Sequence, residues 1–304
     1  MYRKTYILHV PEYIMKEMSC PNCQSDNIIK RGIRTTANRG KVQRLGCKDC
    51  SHRFVRDEGF WKMKNHEDKI TACMNLYYSG MSLRKIQSHL QMFAPKNAHY
   101  SSIYRWIVKY ANMISTITDK LPIQSGAELM SDEMEYSRLG RQNWFVDTLD
   151  TTTRFMVSSG FIQSRTNEEL IRILREAKNK TNRSIRVITT DALRGYPAIL
   201  RKTFNVNSKF KYGGRVVHNI VKADERGFNY KIERLHNTIR DRTKIMRGFH
   251  GSLDSAKAIM KGMEIYYNYV RKHQGIDNVA PQQIAMPALN LGVNKWLSLI
   301  KLAS

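Results

Sequence analysis

The spacing of apolar positions divides the chain into three textures. Residues 1–58 are polar, with only short hydrophobic runs; residues 59–122 repeat apolar residues at helical intervals; residues 123–304 alternate strand-like and helix-like segments. In the middle stretch Ile70, Cys73, Met74 and Tyr77 share one helix face, and Ser79-Gly80 ends that helix. Ser82 is the expected cap of a second helix with Leu83, Ile86 and Leu90 inward. After Pro95, Ser101-Ser102 is the expected cap of a third helix with Ile103, Trp106, Ile107 and Tyr110 inward, leaving Tyr104, Arg105 and Lys109 on other faces. Residues 121–126 form the expected linker to the third stretch. There, a strand over 128–136 puts Asp132, Met134 and Tyr136 on one face and Glu133 and Glu135 on the other. Strands over 144–149 and 154–158 follow, joined by a turn at Asp150-Thr-Thr-Thr. Asn167 caps a predicted helix to about Lys178, an apolar strand runs over 185–191, and helices cover 196–204 and 229–242.

Three strands, a helix, a strand and a helix form the order of a ribonuclease-H-like fold, an α/β architecture with a mixed sheet flanked by helices. The predicted organisation is a zinc ribbon over 1–58, a helix-turn-helix DNA-binding domain over 59–122 and a ribonuclease-H-like catalytic domain over 123–304.

Charge changes the picture most. Fifty-one Lys and Arg oppose 26 Asp and Glu, for a formal net charge of +25. Such an excess repels itself, so a polyanionic partner is expected, and double-stranded DNA fits best because neutralised phosphates release counterions. The capped basic helix carrying Arg105 and Lys109 makes residues 1–122 the expected seat of DNA binding, with a steep salt dependence. No run of about 20 apolar residues exists, which excludes a membrane-spanning helix, and the opening residues do not read as a signal peptide. A reducing cytoplasm is the expected location. Five cysteines there point to metal rather than disulfides. Cys20-Pro-Asn-Cys23 and Cys47-Lys-Asp-Cys50 are two knuckles whose four thiolates would complete a tetrahedral Zn²⁺ site. His52 is expected at the surface and Cys73 in a helix core.

In a sheet of this order, a carboxylate on the first strand lies beside one at the end of the fourth, which makes Asp132 and Asp191 a candidate pair for Mg²⁺ or Mn²⁺. The helix over 229–242 offers the third acid. Ile232, Leu235 and Ile239 form its packing stripe, and Glu233, His236, Asn237 and Arg240 the adjacent polar one. Six basic residues between Lys231 and Arg247 are expected to face DNA phosphates.

The stretch Glu233-x-x-His236-x-x-Ile239-Arg240-x-Arg242, followed by Ser255-Ala-Lys257-x-x-x-Lys261-Gly262-x-Glu264-x-x-Tyr267, resembles the end of prokaryotic insertion-sequence transposases of family six. Thr190-Asp191-Ala-Leu-Arg-Gly-Tyr196-Pro197 is similar to their second-aspartate motif, and Ser131-Asp132-Glu133 to their first. The resemblance implies Asp132, Asp191 and Glu233 as a metal triad, with Arg240 and His236 positioning phosphates. It also implies two-metal nicking at element ends, transfer of the freed strand to target DNA, and a homodimer or larger assembly on DNA. Asp191 and Glu233 are further apart in sequence than is usual, and Glu225 would restore the usual interval. Glu233 is preferred because its apolar stripe gives it a rigid support, whereas Glu225 lies in the charged stretch 222–227. A DNA-binding regulator with an inactive catalytic domain, and a nuclease or resolvase without strand transfer, are the alternatives.

Overall fold

The computed structural model describes residues 19–36, 40–93, 98–181, 185–206, 216–221, 230–246 and 248–304. Glu225, Asn229 and Arg247 lie outside the described residues, as do residues 1–18. Near the amino end, β1 (Ile28–Thr36), β2 (Gly40–Cys47) and β3 (Arg53–Val55) form an antiparallel sheet in that order. One cysteine knuckle precedes β1, and the other lies at the connection from β2 to β3.

Three helices follow: α1 (Glu67–Tyr78), α2 (Leu83–Phe93) and α3 (Tyr100–Thr118). The expected apolar stripes are buried, with Ile70, Cys73, Met74, Ile86, Ile103, Ile107 and Tyr110 all at 0% exposure. The Ser82 hydroxyl accepts from the Lys85 amide, as its capping role requires. Neither Ser101 nor Ser102 caps α3. That role falls to His99, whose Nδ1 accepts from the Ser101 amide. A histidine ring nitrogen can do what a serine hydroxyl does, and the cap falls two to three residues earlier than the serines predicted.

The carboxyl-terminal part is built on a five-stranded sheet: β4 (Glu128–Arg138), β5 (Arg141–Asp150), β6 (Met156–Ile162), β7 (Val187–Thr190) and β8 (Val217–Ile220), in the spatial order β6-β5-β4-β7-β8. The first three strands are an antiparallel meander, and β7 and β8 run parallel to β4. This strand order, with helices in the crossovers, defines the ribonuclease-H-like fold. A two-residue turn joins β4 to β5. Leu139 and Gly140 both take positive φ, 51° and 73°, the combination that matches the twist of a tight hairpin. At the next turn the Asp150 carboxylate accepts from the amides of Thr152 and Thr153 and from the Thr153 hydroxyl, which explains why Asp-Thr-Thr-Thr reverses the chain.

Helix α4 (Asn167–Lys180) is capped by Thr166 rather than by the expected Asn167; the Thr166 hydroxyl accepts from the Glu169 amide. α4 packs against β6 and against α5 (Tyr196–Phe204). α6 (Tyr230–Thr243) lies against β4 through Ile232, Leu235 and Ile239, the predicted stripe. α7 (Leu253–Ile265) continues into a π-helical segment, Tyr266–Val270, and α8 (Pro281–Ala285) and α9 (Lys295–Ala303) complete the chain. Asn268 in the π segment accepts from the Met156 amide and donates to the Met156 carbonyl, which pairs the outer edge of β6. Helix α3 packs along α7 and α9, so apolar residues from Phe60 to Ile300 belong to one hydrophobic cluster. Among the described residues no helix is long and apolar enough to cross a membrane.

Candidate metal centre and nucleic-acid face

Strand register assembles the acidic centre. β4 and β7 pair in parallel with Met130 beside Thr189, so continuing the register by two residues brings Asp191, just past the end of β7, beside Asp132. On the other side β5 pairs antiparallel with β4, and Asp147 stands directly opposite Asp132. Three aspartates therefore occupy one row across β5, β4 and β7.

Carboxylate oxygens of Asp132, Glu133 and Asp191 lie within 4.8 Å of one another. Alternation along β4 sends Asp132 towards α6 and Glu133 towards α5. Both reach the same spot because β7 has ended and leaves the side of β4 open. The Tyr196 hydroxyl donates to Glu133 at 2.7 Å, and the Asp191 carboxylate accepts from the Leu193 amide at 3.0 Å. Asp132 accepts from the Glu133 amide at 2.8 Å.

His236, expected on the polar face of its helix, is buried. Its ring is 3% exposed and pinned between two acids, with Nε2 3.0 Å from Asp147 and Nδ1 3.6 Å from Asp132. Burial opposes its charge, but the Asp147 carboxylate, aided by Asp132, outweighs burial and holds its pKa above the usual value. Both ring nitrogens are turned to carboxylates. Arg242 likewise departs from the expected basic face: it is 3% exposed, whereas Arg234, Arg240 and Lys244 are exposed. Glu233 is exposed on the first turn of α6, one turn before His236. Arg105 and Lys109 are exposed on α3.

Asp147 was legible in principle and was overlooked. It is a lone carboxylate in the centre of the apolar run Trp144-Phe-Val-Asp147-Thr-Leu149, and it is fully buried. An acid at such a position needs a partner, and only the arrival of α6 supplies one.

These oxygen donors suit a hard divalent cation. Burial, ahead of the repulsion from neighbouring carboxylates, pushes the Asp132 carboxyl up to about 6 and the Glu133 carboxyl up to about 7. A cation would relieve that repulsion. Metal binding should therefore displace protons below neutrality. The apparent Mn²⁺ affinity is expected to level off above about pH 8, to fall through pH 7 as Glu133 protonates, and to fall more steeply below pH 6 as Asp132 follows. Calorimetric titration with Mn²⁺ across that range checks this, and a pH-independent affinity would overturn it.

At the other end of the molecule, the Sγ atoms of Cys20, Cys23, Cys47 and Cys50 also lie within 4.8 Å of one another. Cys20 approaches Cys50 to 3.5 Å, and Cys23 approaches Cys47 to 3.5 Å. The four sulfurs are compatible with the donor set of a zinc ribbon. His52 is exposed and Cys73 is buried, as expected from sequence.

No family model matches the chain, and no curated protein matches it. Among solved structures, the catalytic core domain of HTLV-2 integrase in complex with magnesium, in its trimeric form, is similar over 54% of this chain and 98% of that one, at 14% identity and a TM-score of 0.39. The dimeric form of that core covers 54% of this chain and 97% of its own, at 15% identity and a TM-score of 0.36. A simian T-cell lymphotropic virus intasome is similar over 67% of this chain and 72% of that one, at 12% identity and a TM-score of 0.37. The class of fold rests on the strand order and connections described above.

Proposed function

We propose that this chain is a DNA transposase of the DDE type, which nicks element ends and joins the freed strand to target DNA. The observation that carries the reading is the Asp132–Asp191 pair, brought side by side by the β4–β7 register beneath a helix that exposes Arg234 and Arg240. Asp132 and Asp191 would hold Mg²⁺ or Mn²⁺, with Glu233 as the third acid from α6. When bound, the metal polarises a scissile phosphate and lowers the pKa of an attacking hydroxyl. The chain's own residues do the rest. His236, braced by buried Asp147, keeps the Asp132 carboxylate aimed. Tyr196 holds Glu133 towards α5. Exposed Arg240 offers a phosphate contact one helical turn beyond His236.

Arg105 and Lys109 on α3 support DNA binding by the three-helix region as a helix-turn-helix, with the cysteine ribbon beside it. Two element ends must meet during transposition, so assembly as a homodimer or larger on DNA belongs to this reading.

The test is metal-dependent cleavage by isosteric variants. Glu233→Gln is expected to lose on the order of a thousandfold while still binding DNA. Glu225→Gln is expected to cleave nearly normally. Glu133→Gln is expected to stay within about tenfold of the parent, because a carboxyl with a pKa of about 7 is half neutral at that pH already. Loss with Glu133→Gln but not with Glu233→Gln would transfer the third position to Glu133; loss with Glu225→Gln alone would transfer it there. Cleavage without strand joining would identify a nuclease or resolvase, and DNA binding without cleavage a regulator.

A further inference from the structure

Between the three-helix region and the catalytic part lies a cavity of about 570 Å³. Its walls are largely apolar and include Tyr77, Tyr100, Tyr104 and Phe249. This volume and lining fall within the range of sites for small organic ligands. Two cations are set in the wall. Arg84 lies over the Tyr100 ring, 4.7 Å from its centroid. Arg242 lies over the Tyr77 ring, 4.0 Å from its centroid.

Arg242 is the anomaly. It is 3% exposed, and among the described residues none of its three guanidinium nitrogens has a hydrogen-bond partner. A buried guanidinium ordinarily meets a carboxylate or several carbonyls, because an unpaired buried charge is costly. The Tyr77 ring offsets part of that cost. Burial works against its charge here. The missing partner is an anion, and the aromatic walls favour one that carries a flat ring.

We propose that this cavity binds a nucleotide, with the base among Tyr100, Tyr104 and Phe249 and the phosphate on Arg242 and Arg84. A nucleotide joins an aromatic body to a phosphate in one molecule, as this lining requires. Arg242 turns from the Tyr77 ring to meet the phosphate. The cavity also borders Tyr104, next to the exposed Arg105 on α3, so a nucleotide unstacked from bound DNA and a free nucleotide are both chemically suited to it. The inference rests on the cavity alone and needs neither the carboxylate centre nor cleavage.

The experiment uses the full chain carrying Asp132→Asn, which silences the carboxylate centre, and measures binding of thymidine 5′-monophosphate by calorimetry. Saturable binding is expected, at least about tenfold tighter than that of deoxyribose 5-phosphate, which lacks the base. Arg242→Met and Tyr104→Ala should each weaken it at least about tenfold. Arg242→Met should leave the melting temperature unchanged or higher, since it removes a buried cation without an acceptor; if it fails to fold, Tyr104→Ala carries the test. A second arm uses duplex DNA containing 2-aminopurine. A fluorescence rise on binding that both variants abolish assigns the site to DNA, and thymidine monophosphate binding without such a rise assigns it to free nucleotide. No binding of thymidine monophosphate, or binding indifferent to both variants, would overturn the proposal.

Discussion

Replacing Asp132 by Asn is expected to raise the melting temperature of the metal-free protein while abolishing metal-dependent cleavage. The carboxyl is held at about 6 against an ordinary 3.8, chiefly by burial. A shift of about two units corresponds to roughly 3 kcal/mol against the ionised form. An acid whose pKa is higher in the folded state favours folding when protonated. That contribution is complete below the unfolded pKa and is lost as pH rises through the folded one. Metal-free parent protein should therefore lose stability between about pH 4 and pH 6, and the Asn variant should lack this component. Asn must still satisfy the Glu133 amide and face His236, so a net gain of about 1–2 kcal/mol, a few degrees, is the reasonable expectation. Calorimetric melts of both proteins at pH 4 and pH 7.5 test it. A drop of several degrees in the variant at pH 7.5 would mean that Asp132 is a structural partner of His236 rather than a metal ligand kept at a cost in stability.

Removing zinc should have a larger effect on structure. The Cys20→Ser, Cys47→Ser double variant is expected to lose its bound zinc, and the segment 19–58 is expected to unfold with it. Around the three ribbon strands, the buried side chains among the described residues are little more than Leu45, Cys20 and Cys47. That apolar area cannot offset the entropy of ordering such a segment. One sulfur is already poised. The His52 amide, followed by Asn22, lowers the Cys50 thiol to about 6, so its thiolate is available at neutral pH. Structural zinc contributes on the order of 10 kcal/mol in small domains of this kind, enough to decide whether the ribbon folds. Elemental analysis and limited proteolysis read the outcome. Zinc retained in the double variant, or a protease-resistant 19–58 segment without zinc, would refute the four-cysteine site. The hydrophobic cluster from Phe60 to Ile300 should stay folded in either case, because the ribbon contributes nothing to it.

Much of the chain could be read from local patterns, since those features depend on neighbours in sequence. The paired cysteines sit three positions apart, so one turn presents both sulfurs. Ile232, Leu235 and Ile239 fall on one side of any helix, whatever that helix packs against. Asp132 within its strand and Asp191 at the close of an apolar one were legible because strand alternation and strand ends are short-range properties. Strand β8 escaped notice: it has four residues, mostly exposed, and as an edge strand it carries neither alternation nor an apolar run. The caps at His99 and Thr166 were each misplaced by one to three residues, since several polar residues near a helix start can accept the same amides.

What needed the tertiary structure is which distant residues meet. The meeting of Asp147 with Asp132 and His236 joins β5, β4 and α6, and no local period encodes it. The burial of His236 and Arg242 was hidden for the same reason: a polar stripe on a helix reads as solvent-facing until another element covers it. Glu133 reaches Asp132 and Asp191 because β7 stops where β4 continues, which is a property of the register. By itself the sequence determined the strong basic charge, the four paired cysteines, the order of elements from β4 to α5 and the placing of Asp132 on a strand and Asp191 at the end of one, through composition, spacing and periodicity. Packing of α3 along α7 and α9, burial of His236 between two carboxylates, and an unpartnered guanidinium in an aromatic cavity were decided only in three dimensions, because burial is set by what covers a residue and not by the residue itself.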